Sequence, residues 1–150
     1  MYALYGMLIA AAAASSACVH SPAASAPQYI TPNGPPRSPF SPAVRVGNVI
    51  YTSGQIGTDA TGKLAPGGIE AETRQALTSL DAVLRASGSS LQQAVQCTVF
   101  LADMKEWPAM NRVYATFFPT HKPARSAVGV NGIAANGRVE IECIAVAAHP

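Results

Sequence analysis

Arg125, Glu140 and Glu142 are the side chains of this 150-residue sequence best suited to chemistry. Arg125 follows Pro123-Ala124 at the head of a strand-like segment. Its planar guanidinium fork can hold a carboxylate by two parallel hydrogen bonds, which a lysine cannot match. Glu140 and Glu142 lie two apart, so on a strand they share one face, and that face turns apolar at Ile144 and Val146. Position alone favours reading Arg125 as a surface arginine on a strand edge, and it does not separate the two glutamates. Cys18, Cys97 and Cys143 show no CxxC spacing, and with only His20, His121 and His149 beside them no zinc pattern emerges, so no metal site is expected. Cys97 and Cys143 fall on strand-like runs and are read as free, buried, small hydrophobes. His121, before Lys122-Pro123, reads as a loop residue.

These residues need elements to position them. Val44 to Gly54 holds two β-branched or aromatic runs around Gly47-Asn48, a dipeptide that accepts the positive φ angles of a tight hairpin. From Gly68, the apolar positions Ile69, Ala76, Leu77, Leu80, Val83 and Leu84 recur mostly three and four apart, and Gly88 stands where a helix C-cap belongs. Val95 to Leu101 reads as a strand. Asp103 and Glu106 have the spacing of a capping box for a second helix, whose buried face is Met110, Val113, Tyr114, Phe117 and Phe118 and which Pro119 ends. Two further strands, near Arg125–Asn131 and Val139–Ala147, complete the order ββ-α-β-α-ββ. The economical layout is α+β, with two helices on one face of a mixed sheet. The other face, rich in Val and Ile, then calls for cover by another subunit.

Nearly half the residues are hydrophobic and only 12% are charged, which suits one packed domain of about 110 residues. A net charge of +2, scattered along the chain, is no footprint for nucleic acid. Residues 1–18 read as a signal peptide or lipoprotein signal, 19–42 as a Pro/Ala/Ser-rich tether and 43–148 as the folded domain. The uncharged apolar run ending at Ser15-Ser16-Ala17-Cys18 is too short to span a membrane and resembles a lipobox with Cys18 as the lipidation site. Export to the periplasm or to a membrane anchor is the expectation, with a cytoplasmic location as the alternative. Two features depart from that pattern: Ser15 stands where a larger aliphatic residue is usual, and no lysine or arginine precedes Arg37.

Six segments in order carry a more specific signal. They are Ser-Pro-Phe-Ser-Pro-Ala-Val at 38–44, Tyr-Thr-Ser-Gly-Gln-Ile-Gly at 51–57, Phe-Leu-Ala-Asp-Met at 100–104, Met-Asn-Arg-Val-Tyr at 110–114, Pro-Ala-Arg-Ser at 123–126 and Val-Glu-Ile-Glu-Cys-Ile-Ala-Val at 139–146. Together they resemble the RidA family, also called YjgF/UK114, from about Pro39 to Val146. The resemblance implies a six-stranded sheet with two helices, like the small trimeric chorismate mutases, in a homotrimer with clefts between subunits. It implies hydrolysis of 2-iminobutanoate and 2-iminopropanoate to 2-oxo acids and ammonia without a cofactor. Family members have also been described as ribonucleases and holdase chaperones, which are the alternative functions.

The resemblance also assigns roles. Arg125 matches the arginine that binds the substrate carboxylate, and Glu140 the glutamate that positions the attacking water. Ser53 and Gly54 match a turn lining the pocket, and Asn111 a polar residue near it, although a solvated helix position explains Asn111 almost as well. Phe40 stands where a tyrosine is usual and Ala127 where a cysteine is. If the loop 131–138 closes a simple hairpin, Arg125 faces Ile144, roughly 13 Å along the strand from Glu140 at ~3.3 Å per residue. Such a gap calls for a neighbouring subunit to complete the pocket.

Overall fold

The computed structural model describes residues 25–32, 34 and 38–148. Strands β1 (Gln28–Ile30), β2 (Ala43–Val46), β3 (Val49–Thr52) and β4 (Gln55–Ile56) precede helix α1 (Ile69–Ala86). Strand β5 (Ala94–Leu101), helix α2 (Trp107–Phe117) and strands β6 (Ala124–Gly129) and β7 (Val139–Val146) follow. The sheet runs β1-β2-β3-β7-β5-β6, with β4 also paired to β7. All pairings are antiparallel except β5 with β6.

The expected α+β layout is present, and two short strands extend it. β1 lies inside the stretch read as a tether: Tyr29 and Ile30 are good strand formers, and β2 offers them a free edge. β4 adds two residues that take over β7's edge where β3 stops. The Gly47-Asn48 hairpin forms, with Gly47 at φ 59°. At the end of α1, Gly88 takes φ 81° while the Gly88 and Ser89 N–H groups bond back to Arg85 and Leu84, which closes the last turn as its sequence implies.

Helix α1 buries Ala76, Leu77, Leu80 and Leu84 completely against Ile50, Val99, Ile141 and Ala145, with Met110, Tyr114 and Phe118 of the α2 region in the same core. Each fully buried leucine contributes about 1.5–3 kcal/mol. The start of α2 differs from the capping-box expectation. Met104–Glu106 is a separate 3-10 turn capped by Asp103, whose carboxylate accepts the Lys105 N–H at 2.9 Å. Glu106 is drawn away to Arg138 at 2.6 Å, so it makes no box with Asp103.

Two expectations fail on register. β6 and β7 do not form a hairpin: β5 lies between them, so Arg125 stands level with Cys97 and, one strand further, Cys143. Cys97 and Cys143 are not free thiols but are joined in a disulfide, with their Cα atoms 4.1 Å apart. Its register explains it. The Cys143 N–H donates to the Thr52 hydroxyl at 2.9 Å, and that hydroxyl donates back to the Cys143 carbonyl at 3.0 Å. Both backbone groups of Cys143 thus point toward β3, which leaves it facing Cys97 as a pair without backbone hydrogen bonds, where side chains lie closest.

The sheet face away from the helices is mixed, with Tyr51, Phe100, Val128 and Ile144 beside Gln96, Thr98, Glu140 and Glu142. Tyr51 and Val128 are nearly half exposed there. Among the described residues no helix is long and apolar enough to cross a membrane.

Candidate functional site

Arg125 lies on the edge strand β6, on the helix side of the sheet. Alternation along the strand points Arg125 and Ala127 toward the helices and Ser126 and Val128 away. Its guanidinium donates to Oδ1 of Asn111 at 2.8 Å, sits 4.5 Å from the centre of the Tyr114 ring and lies 5.9 Å from that of Trp107. Trp107, Asn111 and Tyr114 fall at i, i+4 and i+7 of α2, one stripe of the helix facing one arginine. Two aromatic faces flank the guanidinium and one amide oxygen takes one of its five N–H donors, so its charge is not neutralised and its other donors have no side-chain partner among the described residues. Arg125 has no carboxylate partner among the described residues. With Asn111, Tyr114, Ala115, Phe118, Lys122 and Pro123 it lines a cleft of about 350 Å³.

Asn111 is therefore not a solvated helix residue; it orients Arg125. Tyr114 had been readable only as core, and Trp107 was missed. The signal available in the sequence was their shared spacing with Asn111. Burial pushes the Tyr114 phenol up to about 12, against a downward pull from the Arg125 charge. Its buried hydroxyl finds no hydrogen-bond partner among the described residues.

Glu140 occupies the opposite face of the sheet. On β7 it pairs with Phe100 of β5 and Ile56 of β4, and Val139 and Ile141 on either side are buried in the core. Gly54 makes the room it needs, since a methyl group there would collide with the Glu140 carboxylate. The break between β3 and β4 at Ser53-Gly54 is what opens this space. Ser53 is committed to the backbone: its hydroxyl donates to the Ser41 carbonyl at 2.7 Å, and its N–H to that of Pro42 at 2.9 Å. It pins the segment that carries Phe40, itself 54% exposed. Ala127 packs half-buried against the core, two residues from Arg125. Glu142 pairs with Thr98 and faces a small hollow with Tyr51 and Gln96, and no base among the described residues pairs with it.

Within one chain Arg125 and Glu140 do not meet. They stand two strands and three residues apart, ~14 Å by strand spacing and rise, with side chains on opposite faces. The gap resembles the hairpin estimate in size but has a different origin, because β5 is interposed. No group of three or more His, Cys, Asp or Glu able to hold a metal occurs among the described residues. Cys18 lies outside them.

The sequence pattern of one family, described as endoribonuclease L-PSP, matches residues 31–147. A goat protein named 2-iminobutanoate/2-iminopropanoate deaminase is 47% identical over 109 residues, covering 72% of this chain and 80% of its own. The fission yeast protein mmf1, mitochondrial, is 43% identical, over 72% of this chain and 68% of its own. The crystal structure of yeast Mmf1 superposes with a TM-score of 0.77 at 38% identity, over 82% of this chain and all of that one. These relatives correct the expectation of export. Where their names give a location it is mitochondrial, or chloroplastic in an Arabidopsis relative 37% identical, over 71% of this chain and 58% of its own, and none supports a signal peptide, a periplasmic location or lipidation at Cys18. An apolar run without a basic start is composition alone, and composition does not make an address.

Proposed function

The chain belongs to the endoribonuclease L-PSP family, the RidA/YjgF proteins, and from that membership we propose that it hydrolyses 2-imino acids and their enamine tautomers to 2-oxo acids and ammonia. The single observation that carries this reading is Arg125: a half-buried guanidinium oriented by Asn111, backed by Tyr114, in a cleft, with no carboxylate partner among the described residues. Such a group is prepared for a small carboxylate. Relatives 44–47% identical, from goat, cattle, mouse and house dust mite, are named 2-iminobutanoate/2-iminopropanoate deaminase.

In this proposal Arg125 holds the substrate carboxylate by paired hydrogen bonds, leaving the protonated C=N group to be attacked. Glu140 accepts a proton from a water as that water adds to the imine carbon, and returns one to the departing nitrogen. Since Arg125 and Glu140 of one chain lie on opposite faces of the sheet, a single pocket takes Arg125 from one subunit and Glu140 from the next. The half-exposed Tyr51 and Val128 support the same association, since pairing of subunits over the open face would cover them. Ser53 and Gly54 shape the Glu140 side, and Phe40 and Ala127 set the size and polarity available to the substrate side chain.

The test generates the imine in place with an amino-acid oxidase or dehydratase and follows its capture by semicarbazide. Wild-type protein is expected to suppress capture. Arg125→Ala should lose roughly a hundredfold or more in rate, Arg125→Lys should recover little, and Glu140→Gln should bind product yet turn over slowly. Unchanged turnover in folded Arg125→Ala would remove the deaminase reading.

A further inference from the structure

A buried carboxylate outside the cleft remains unexplained by the chemistry above. Glu72, in the first turn of α1, has its side chain 5% exposed. Its Oε2 accepts the backbone N–H of Arg138 at 2.8 Å, and its Oε1 lies 3.7 Å from Nε of the same arginine. The Arg138 carbonyl in turn accepts the Ala102 N–H at 3.0 Å, and its Nη1 donates to Glu106 at 2.6 Å. Residue 138 is thus held at both ends of its backbone, and β7 begins at the next residue.

The same glutamate touches the other strand beside Glu140. Gly57, buried, presses its backbone against the Glu72 main chain so closely that no side chain could fit at 57. Gly57 follows Ile56, the β4 partner of Glu140. Glu72 therefore bears on the residue just ahead of β7, two before Glu140, and on the residue just past β4, one after Glu140's partner. Both contacts fix the separation of the two strands at the point where the Glu140 carboxylate has to clear Gly54.

We propose that Glu72 is a positioning residue that holds Glu140 over Gly54 by fixing the start of β7 against the end of β4. The proposal rests on Glu140 being the group that handles the attacking water. Glu72 does not line the Arg125 cleft and does not touch substrate. The helix N-terminus favours its negative charge, and the Arg138 N–H gives that charge a directed bond. Without it a partly buried N–H loses its partner just ahead of β7 and the strand has freedom to shift.

The experiment measures turnover in the trapping assay, binding of 2-oxobutanoate by calorimetry and thermal midpoint, all on the full chain. Glu72→Ala should lower turnover ~10–100-fold, the scale of a displacement of about 1 Å in a reacting group, while product binding through Arg125 stays within about twofold. Glu72→Gln, which keeps an acceptor for the Arg138 N–H, should stay within about threefold of wild type. If Glu72→Ala does not fold, Glu72→Asp, one methylene shorter, carries the same test with the charge kept. In a Glu140→Gln background the Glu72 substitution should cost nothing further, because its effect passes through Glu140. Wild-type turnover in Glu72→Ala or Glu72→Asp, an equal loss in both backgrounds, or a parallel loss of product binding would each overturn the proposal. Full activity in Glu140→Gln alone would instead strike the assignment of Glu140, and this inference with it, while Arg125→Ala would still report on the deaminase reading.

Discussion

Replacing both Cys97 and Cys143 with alanine should destabilise the fold by an amount set mainly by the chain the disulfide closes. The two residues are separated by 46 positions, a loop whose closure entropy corresponds to ~4 kcal/mol at 25 °C. Both cysteines are buried, at 1% and 2% exposure, so alanine also forfeits some packing. For a domain of this size each kcal/mol shifts the thermal midpoint by about 3–5 °C, which predicts a fall of roughly 12–20 °C. The comparison is made at fixed protein concentration, because the association proposed above would contribute to the midpoint. Reductant should lower the wild-type midpoint once denaturant admits it to the core, and leave the double variant unmoved. Thiol titration of the denatured, unreduced chain should find one cysteine, Cys18, rather than three. Three titrating thiols, or equal midpoints for wild type and the double variant, would refute the cross-link and the register that accounts for it.

Other outcomes follow from the site. Gly54→Ala should cost tenfold or more in turnover, at ~1 Å of displacement of the Glu140 carboxylate, with secondary structure by circular dichroism unchanged. Tyr114→Phe should raise stability at neutral pH by about 1 kcal/mol, since it removes a buried hydroxyl without a partner, and a lower midpoint would contradict this. The Tyr114 phenol keeps its proton up to about 12 in the fold and releases it near 10 when unfolded. Wild-type stability is therefore unaffected by this group below pH 10 and falls between pH 10 and 12, where only the unfolded chain releases the proton, a slope that urea titrations should find in wild type and not in Tyr114→Phe. Light scattering should report a trimer, and Tyr51→Asp combined with Val128→Asp on the open face should dissociate it and abolish turnover together; an active monomer would refute the shared pocket.

The sequence by itself determined the elements whose signals are local. Leucine spacing and Gly88 set α1 and its end, Gly47-Asn48 sets the first hairpin, and six ordered segments set the family. Arg125 and Glu140 stood out as candidates through those segments, because residue type and neighbours travel with a motif. Tertiary structure alone decided which strands lie side by side. That put β5 between β6 and β7, turned Arg125 and Glu140 to opposite faces and brought Cys97 against Cys143. It also recruited Gln28–Ile30 to a free sheet edge and turned Glu106 from a capping box to Arg138. Glu72 carried no signal at all: a glutamate in a first helical turn reads as a favourable charge on a dipole, and its bond to Arg138 spans 66 residues. Strand order and long-range pairing follow from how whole faces pack, and neither leaves a trace in the spacing of residues along one segment.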